Sequence, residues 1–357
     1  MYNYELIKKF VTQVFVKIGC NHEDAEKGAE ILIAAELRGI PSHGVLRLKD
    51  YLNLWEKKRI NNKPNVKIVY ETPSTAVVNG DNGFGIMVAP KAMNIAIEKA
   101  KSVGTGWVSV NNSNHFGIAG YYAMMAIKHD MIGITMTNAN PLVAPTYSID
   151  RLLGTNPIAV AIPALNQPPF VADFATTPIA RGKLDVMHRK GLEAPIGFVQ
   201  DKYGKPSTNP NILTEGGAIL PLGGDREHGS HKGYCLGSIV DIFTSVLSGA
   251  NFGPFVPPSV AYLPVKDISV GKGTGHFFGA MRIDAFQPAN DFKKQMDKRI
   301  ETFRKAKPID GQEKVLIPGD IERELEVTYK KNGFPLMESV IKELKIIAEK
   351  YDIPFFE

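Results

Sequence analysis

The period of the apolar residues changes near residue 60, and that change limits what the chain can fold into. Leu6, Ile7, Phe10, Val11, Val14, Phe15 and Ile18 recur at helical spacing and stop at Gly19. Asn21 offers an N-cap with Asp24 three residues on, and Ala25, Ala29, Leu32 and Ala35 form the buried stripe of a second helix ending near Gly39. The opening of the chain is therefore expected to be all-helical.

Beyond it, helices and strands alternate. Residues 90–104 read as a helix with Pro near its start and Gly after its end. Residues 107–110 read as a strand, 121–130 as a helix and 132–138 as a strand, with buried strands at 157–163 and 170–175. HKGYCLGSIVDIFTSVLSGA (231–250) is the most apolar helix, with Leu236, Ile239, Val240, Phe243, Val246 and Leu247 expected to face inward. A strand at 276–286, a surface helix at 288–306 and a last helix from about Met337 to Lys350 complete the pattern. No repeat or low-complexity linker divides the chain, so two interwoven lobes of an α/β protein are expected.

At 357 residues the chain can bury a large core. Its net charge of +5 is spread along the sequence, which suits an anionic small molecule and offers no basic block for nucleic acid. Cys20 and Cys235 fit neither a disulfide framework nor a metal-ligand spacing, so reduced thiols and no metal are expected. The opening MYNYELIKKFVTQVF mixes charges into its apolar pattern, unlike a signal peptide, and no run approaches the roughly 18 apolar residues of a membrane span. A cytoplasmic protein without membrane contact is the expectation.

Four stretches carry chemistry. The glycine fingerprint Gly-x-Gly-x-x-Gly follows none of the expected strands. GGDREHGSHKGY (223–234) fails as a Walker A loop, because Lys232 precedes its glycine and no Ser or Thr comes next. It remains a glycine-rich loop with His228, His231 and Lys232 at a helix start, which suits a phosphate or is a plain loop with incidental basic residues. In VNNSNHFGIAGYY (110–122) a strand ends in amide side chains followed by His115, either a simple turn or a ligand site at a strand's carboxyl end. In GIPSHGVLRL (39–48), helical geometry over 43–47 puts His43 and Arg47 on one face. An arginine grips a carboxylate through two hydrogen bonds and a histidine titrates near neutrality, as oxidation of a 2-hydroxy acid requires; a solvated surface pair is the alternative. DFATTP (173–178) sets an acid and two hydroxyls at a strand end, and PGD (318–320) is a turn after an expected strand VLI; both also fit ordinary turn chemistry.

Taken together, RGIPSHGVLRL, NNSNHFGIAGYYAMMA, IGITMTN, VAP, LLGTNPIAVAIP, DFATT, RGK, PLGG, HKGYCLGSIVDIFTSVLSGA, GHFF and LIPGD resemble one family, in its order, from about residue 5 to 350. It is the type 2 malate/L-lactate dehydrogenases, which include ureidoglycolate, sulfolactate and diketogulonate-type enzymes. The resemblance implies NAD(P)-dependent oxidation of a 2-hydroxy acid, most readily malate or lactate, on a non-Rossmann, L-sulfolactate dehydrogenase-like α/β fold. That fold would have a helical lobe at 1–75, with C-terminal helices of 288–357 packing back on it. A mixed-sheet catalytic and cofactor lobe would span 76–287.

By the same resemblance His43 is the acid/base, Ser42 supports it, Arg47 binds the substrate carboxylate, and His115 lines the site or takes the proton itself. Cofactor contacts fall on Asp173, Phe174, Ala175, Thr176, Thr177, Pro178 and Ile179, on His231 and Lys232, and on Pro318, Gly319 and Asp320. The cofactor is NAD or NADP, with NAD favoured, and the partners are a small carboxylate substrate and a second copy of the chain in a homodimer. Three departures bear on specificity. Thr177 stands where the family usually has Ser, PTYSIDRLLGTNP replaces a common Gly-Gly, and Asp320 stands where Glu is frequent. Asn140 lies in a variable substrate-side segment. Another 2-hydroxy acid, a cyclic imino acid, or a degenerate scaffold without catalysis are the competing readings; retention of His43, Arg47, His115 and Lys232 speaks against the last.

Overall fold

Two asparagines start the first helices. Asn3 Oδ1 accepts the Glu5 N–H and Asn21 Oδ1 the Asp24 N–H, each at 2.8 Å, which satisfies amides that the first helical turn leaves free. The computed structural model describes residues 1–356. Helices α1 (Tyr4–Lys17), α2 (His22–Leu37) and α3 (Arg47–Glu56) form the opening layer, with Ile7, Phe10, Val14 and Phe15 buried.

Strands β1 (Lys67–Glu71) and β2 (Thr75–Asn79) follow, then α4 (Gly85–Val103), β3 (Thr105–Ser113), α5 (Ala119–Met125), β4 (Met131–Thr137), β5 (Ile158–Ile162) and β6 (Phe170–Phe174). A small subdomain then holds α6 (Arg181–Arg189) and the short strands β7 (Val199–Gln200), β8 (Pro206–Ser207) and β9 (Ala218–Ile219). Helix α7 (Ser230–Asp241), continued as a π-helical turn over Ile242–Val246, leads to β10 (Thr274–Arg282) and to α8 (Ala289–Arg304), α9 (Asp320–Asn332) and α10 (Glu338–Tyr351).

The main sheet has the order β1-β2-β3-β10-β4-β5-β6. Only β2 and β3 run parallel and every other pairing is antiparallel, unlike the parallel order of a doubly wound dinucleotide-binding sheet. One apolar cluster joins α1, α2, α3, α4, α5 and α10 to the sheet, so the expected lobes share a core. A second cluster, around Val143, Leu184, Val199 and Ile219, belongs to the three-stranded subdomain that the sequence pattern did not reveal.

The structure corrects four expectations. The sheet begins inside the stretch assigned to the helical lobe, because β1 lies before residue 75 and pairs with β2. Helix α8 does not return to the opening helices: its Phe292, Met296 and Ile300 pack against Ile162, Phe170 and Ile317 beyond the β5–β6 edge. Residues 315–317 form no strand, and the unforeseen α9 starts at Asp320.

The fourth correction is the direction in which α7 faces. Val240 is buried, but Ile239, Phe243, Val246 and Leu247 point outward, the last two 61% and 57% exposed. Small and polar residues face in because their groups are already satisfied. Thr244 and Ser248 donate to Val240 O and Thr244 O at 2.7 and 2.8 Å, and Asp241 accepts the Gly253 N–H. A Cβ at position 233 would lie 2.2 Å from Leu222 O, so the helix lies too close to its neighbour for a bulky inner face.

Candidate active site

The segment between α2 and α3 is held from beneath by a carboxyl group. Glu36, 3% exposed at the end of α2, accepts the Val45 N–H through Oε1 at 2.9 Å. A Cβ at position 44 would come within 2.1 Å of that oxygen, so only glycine lets the loop lie so close. Burial pushes the Glu36 carboxyl up to about 7.

Above it, Pro41–His43 form one 3₁₀ turn and α3 begins at Arg47. His43 and Arg47 therefore do not share one continuous α-helix, yet they remain neighbours. Arg47 Nε donates to Ser42 O at 2.7 Å and Nη1 to Asp50 at 3.1 Å, while Ser42 Oγ lies 2.9 Å from His43 Nδ1. His115, just past β3, stacks on His43 with ring centroids 5.5 Å apart and planes 24° from parallel. The two histidines thus come together from segments far apart in sequence. Burial, helped by the Arg47 charge, holds His43 down at about 4, and the same causes hold His115 well below the usual imidazole range. Both rings are neutral at pH 7.

Their hydrogen bonds differ. Tyr51 Oη lies 2.8 Å from His115 Nδ1, and the Gly117 N–H points at the same nitrogen from 3.4 Å. Two donors on Nδ1 leave the His115 proton on Nε2, so this ring offers a donor. The hydroxyl at His43 Nδ1 can accept, and in the tautomer whose Nδ1–H donates to Ser42 Oγ the Nε2 lone pair is free to act as a base. Behind them His276 bridges three strands, its Nδ1 2.7 Å from Thr137 Oγ1 and its Nε2 2.8 Å from Ser113 Oγ, with its ring flat against Phe116.

The residues expected at the cofactor gather in two places. Asp173 and Phe174 meet Pro318 and Gly319 in a cleft of about 370 Å³ at the β6 edge, where Phe174, Leu316 and Ile321 present apolar surface. The turn after β6 meets the start of α7 through Leu222, whose N–H donates to Thr176 O at 2.9 Å. There Gly229 is the N-cap, exposed Lys232 stands in the first turn, and Arg226 donates to His231 Nδ1 at 2.9 Å. Polar donors at that helix start could hold a phosphate, and the apolar cleft could hold a planar base.

Several of those side chains are already occupied. Asp173 borders the cleft, but its Oδ2 accepts the Gly120 N–H at 2.7 Å, and desolvation of the carboxyl pushes it up to about 6. The Thr176 hydroxyl donates to Thr155 O, that of Thr177 to Ile179 O, and Asp320 accepts from Ile317 N–H and Arg304. These residues shape the backbone of the site. Sequence reasoning missed Glu36, Tyr51 and His276. Tyr51 lies four residues after Arg47, one helical turn on, which is a usable signal; Glu36 and His276 carry no local pattern. Among the described residues no three metal-ligating side chains cluster, and no helix is long and apolar enough to cross a membrane.

Residues 2–345 match the family model described as malate/L-lactate dehydrogenase. The chain is 42% identical to the malate dehydrogenase of Pyrococcus abyssi over 99% of this chain and 97% of that one. The crystal structure of malate dehydrogenase from Entamoeba histolytica superposes with a TM-score of 0.92 at 37% identity, covering 99% of this chain and 98% of that one. Sulfolactate dehydrogenase from Methanocaldococcus jannaschii superposes with a TM-score of 0.89 at 38% identity, covering 98% and 97%.

Proposed function

We propose, from the premise that this chain belongs to the malate/L-lactate dehydrogenase family and is a 2-hydroxy-acid dehydrogenase, that it interconverts malate and oxaloacetate. The observation that carries the reading is the stacked His43–His115 pair beside Arg47, one ring free as a base and the other held as a donor. NAD is the favoured cofactor over NADP. When bound, the nicotinamide supplies the acceptor for the hydride that leaves the carbinol carbon. The β6-edge cleft would hold a base, and the start of α7, with Arg226 and Lys232, would hold phosphate.

The chain's own residues do the rest. Arg47 has N–H groups beyond the two given to Ser42 and Asp50, and it grips the C1 carboxylate. His43 Nε2 removes the hydroxyl proton as the carbonyl forms, and Ser42 Oγ accepts the Nδ1–H of the resulting imidazolium. His115 Nε2–H donates to the same oxygen and favours the carbonyl, with Tyr51 locking its tautomer. In the reverse direction protonated His43 returns the proton to the oxygen.

The outward apolar face of α7 supports a homodimer, and the unpaired Cys20 and Cys235 suit a reducing cytoplasm. The test is an absorbance assay of nicotinamide reduction over a panel of 2-hydroxy acids with NAD and NADP. Malate with NAD is expected to give the highest kcat/KM. A higher value for lactate refutes malate, and a higher value with NADP refutes the cofactor choice.

A further inference from the structure

We propose that Arg151 and Arg181 form an anion subsite that holds the second acid group of the substrate, so that this chain selects 2-hydroxy acids carrying two negative charges. The inference rests on the 2-hydroxy-acid reading above and adds a site to it. A cavity of about 310 Å³ lies between residues 140–142, 213–214 and 254–266. Its lining carries Arg151, Arg181 and Lys266 and, among the described residues, no carboxylate. Three cations facing one cavity repel each other, and an anion placed between them removes that repulsion.

Arg151 is anchored for such a role, because its Nη2 donates to Leu213 O at 2.8 Å and also to Gly217 O. Burial and then the nearby Arg181 charge hold Arg151 below its ordinary pKa, as expected of two guanidinium groups set close together. Asp185, the acid paired with Arg181, approaches only to 3.9 Å, which leaves the Arg181 donors free for a tighter partner. The proline-rich wall of residues 254–264 offers little water-binding surface, and charge-assisted hydrogen bonds gain strength there.

One contact links the lining of the cavity to the His43 corner. The Cβ position of Gly182, next to Arg181, lies 3.5 Å from Ser42 Cβ. By this contact the proposed subsite takes the far end of a substrate whose C1 carboxylate is on Arg47. The same chemistry would suit a cofactor phosphate, and the test separates the two.

The experiment compares malate with lactate in wild type, Arg181→Ala and Arg181→Lys, by steady-state kinetics at saturating cofactor and by calorimetric binding of each acid to the enzyme with reduced cofactor. In Arg181→Ala the malate-to-lactate ratio of kcat/KM is expected to fall about 10- to 100-fold, mostly through KM, with partial recovery in Arg181→Lys. The affinity ratio in calorimetry should fall in parallel. An unchanged ratio with a raised cofactor KM overturns the assignment in favour of a phosphate, and equal losses for both acids overturn it in favour of a structural role. If wild type oxidises malate through His43 but the ratio does not move, the proposed function stands and the subsite falls. If no hydroxy acid turns over, the proposed function falls, and the calorimetric ratio alone decides the subsite.

Discussion

The His43 corner and the α7 helix solve opposite problems. At the corner, polar groups are drawn inward and matched within the chain: Glu36 with Val45, Ser42 with His43 and Arg47, Tyr51 with His115. Along α7, hydroxyls turn inward and satisfy their own helix, while Ile239, Ile242, Phe243, Val246 and Leu247 stand on the surface. These side chains are about half exposed, so covering the face would contribute about half of the roughly 1.5–3 kcal/mol that full burial of each large side chain supplies. The corner's hydrogen bonds close within the chain, whereas α7 leaves an apolar face exposed, the face on which the proposed homodimer rests.

The largest expected effect lies at the corner. His43→Ala should lower kcat by about 10²- to 10⁴-fold with little change in KM, as loss of a general base does. Wild-type oxidation should keep its kcat/KM as pH falls through 6.5, the ordinary histidine value, and lose it only near 4, where His43 becomes protonated. Near-normal kcat in His43→Ala, with loss of activity in His115→Ala, would show the proton to be on the other ring. The comparison breaks at its other end if Leu247→Asp remains a dimer by sedimentation. In a two-fold contact each substitution counts twice, so the variant is expected to weaken association about 100-fold or more while the monomer stays folded.

A smaller effect sharpens the contrast. Glu36 binds a proton more tightly folded, near 7, than unfolded, near 4.5, so its contribution to stability is complete below 4.5 and is lost as pH rises to 7. The slope is at most about 1.4 kcal/mol per pH unit. Glu36→Gln keeps a hydrogen-bond acceptor for Val45 and should remove that slope. Denaturant titrations of both proteins between pH 4.5 and 7 read the difference, and identical slopes would mean that Glu36 is already ionised in the folded state.

What the sequence made legible follows from the range of each signal. Helix starts such as Asn21 and the strand and helix runs from 105 to 174 are local, and they form as read. His43 and Arg47 are neighbours although the single helix their spacing suggested does not form, Ser42 was expected only through the family resemblance, and His115 joins them in space. The direction of α7 was not legible, because the pattern shows an apolar stripe but not whether this chain or another covers it. The Glu36 and His276 contacts join elements whose approach no local pattern encodes. Asp173, Thr176 and Asp320, expected at the cofactor by the family resemblance, have side chains that bond the protein's own backbone and arginines.

The position of β10 sets an order in time. This strand, at 274–282, is inserted between β3 and β4, and its His276 joins Ser113 of one to Thr137 of the other. A ribosome adding roughly 5–20 residues per second needs about 5–20 s to pass from the end of β6 to the end of β10. Throughout that interval the nascent chain holds two half-sheets, each with an open hydrogen-bonding edge where the centre will be. Those edges are what a chaperone would meet first, and the surface behind His115 does not exist until the late strand closes them.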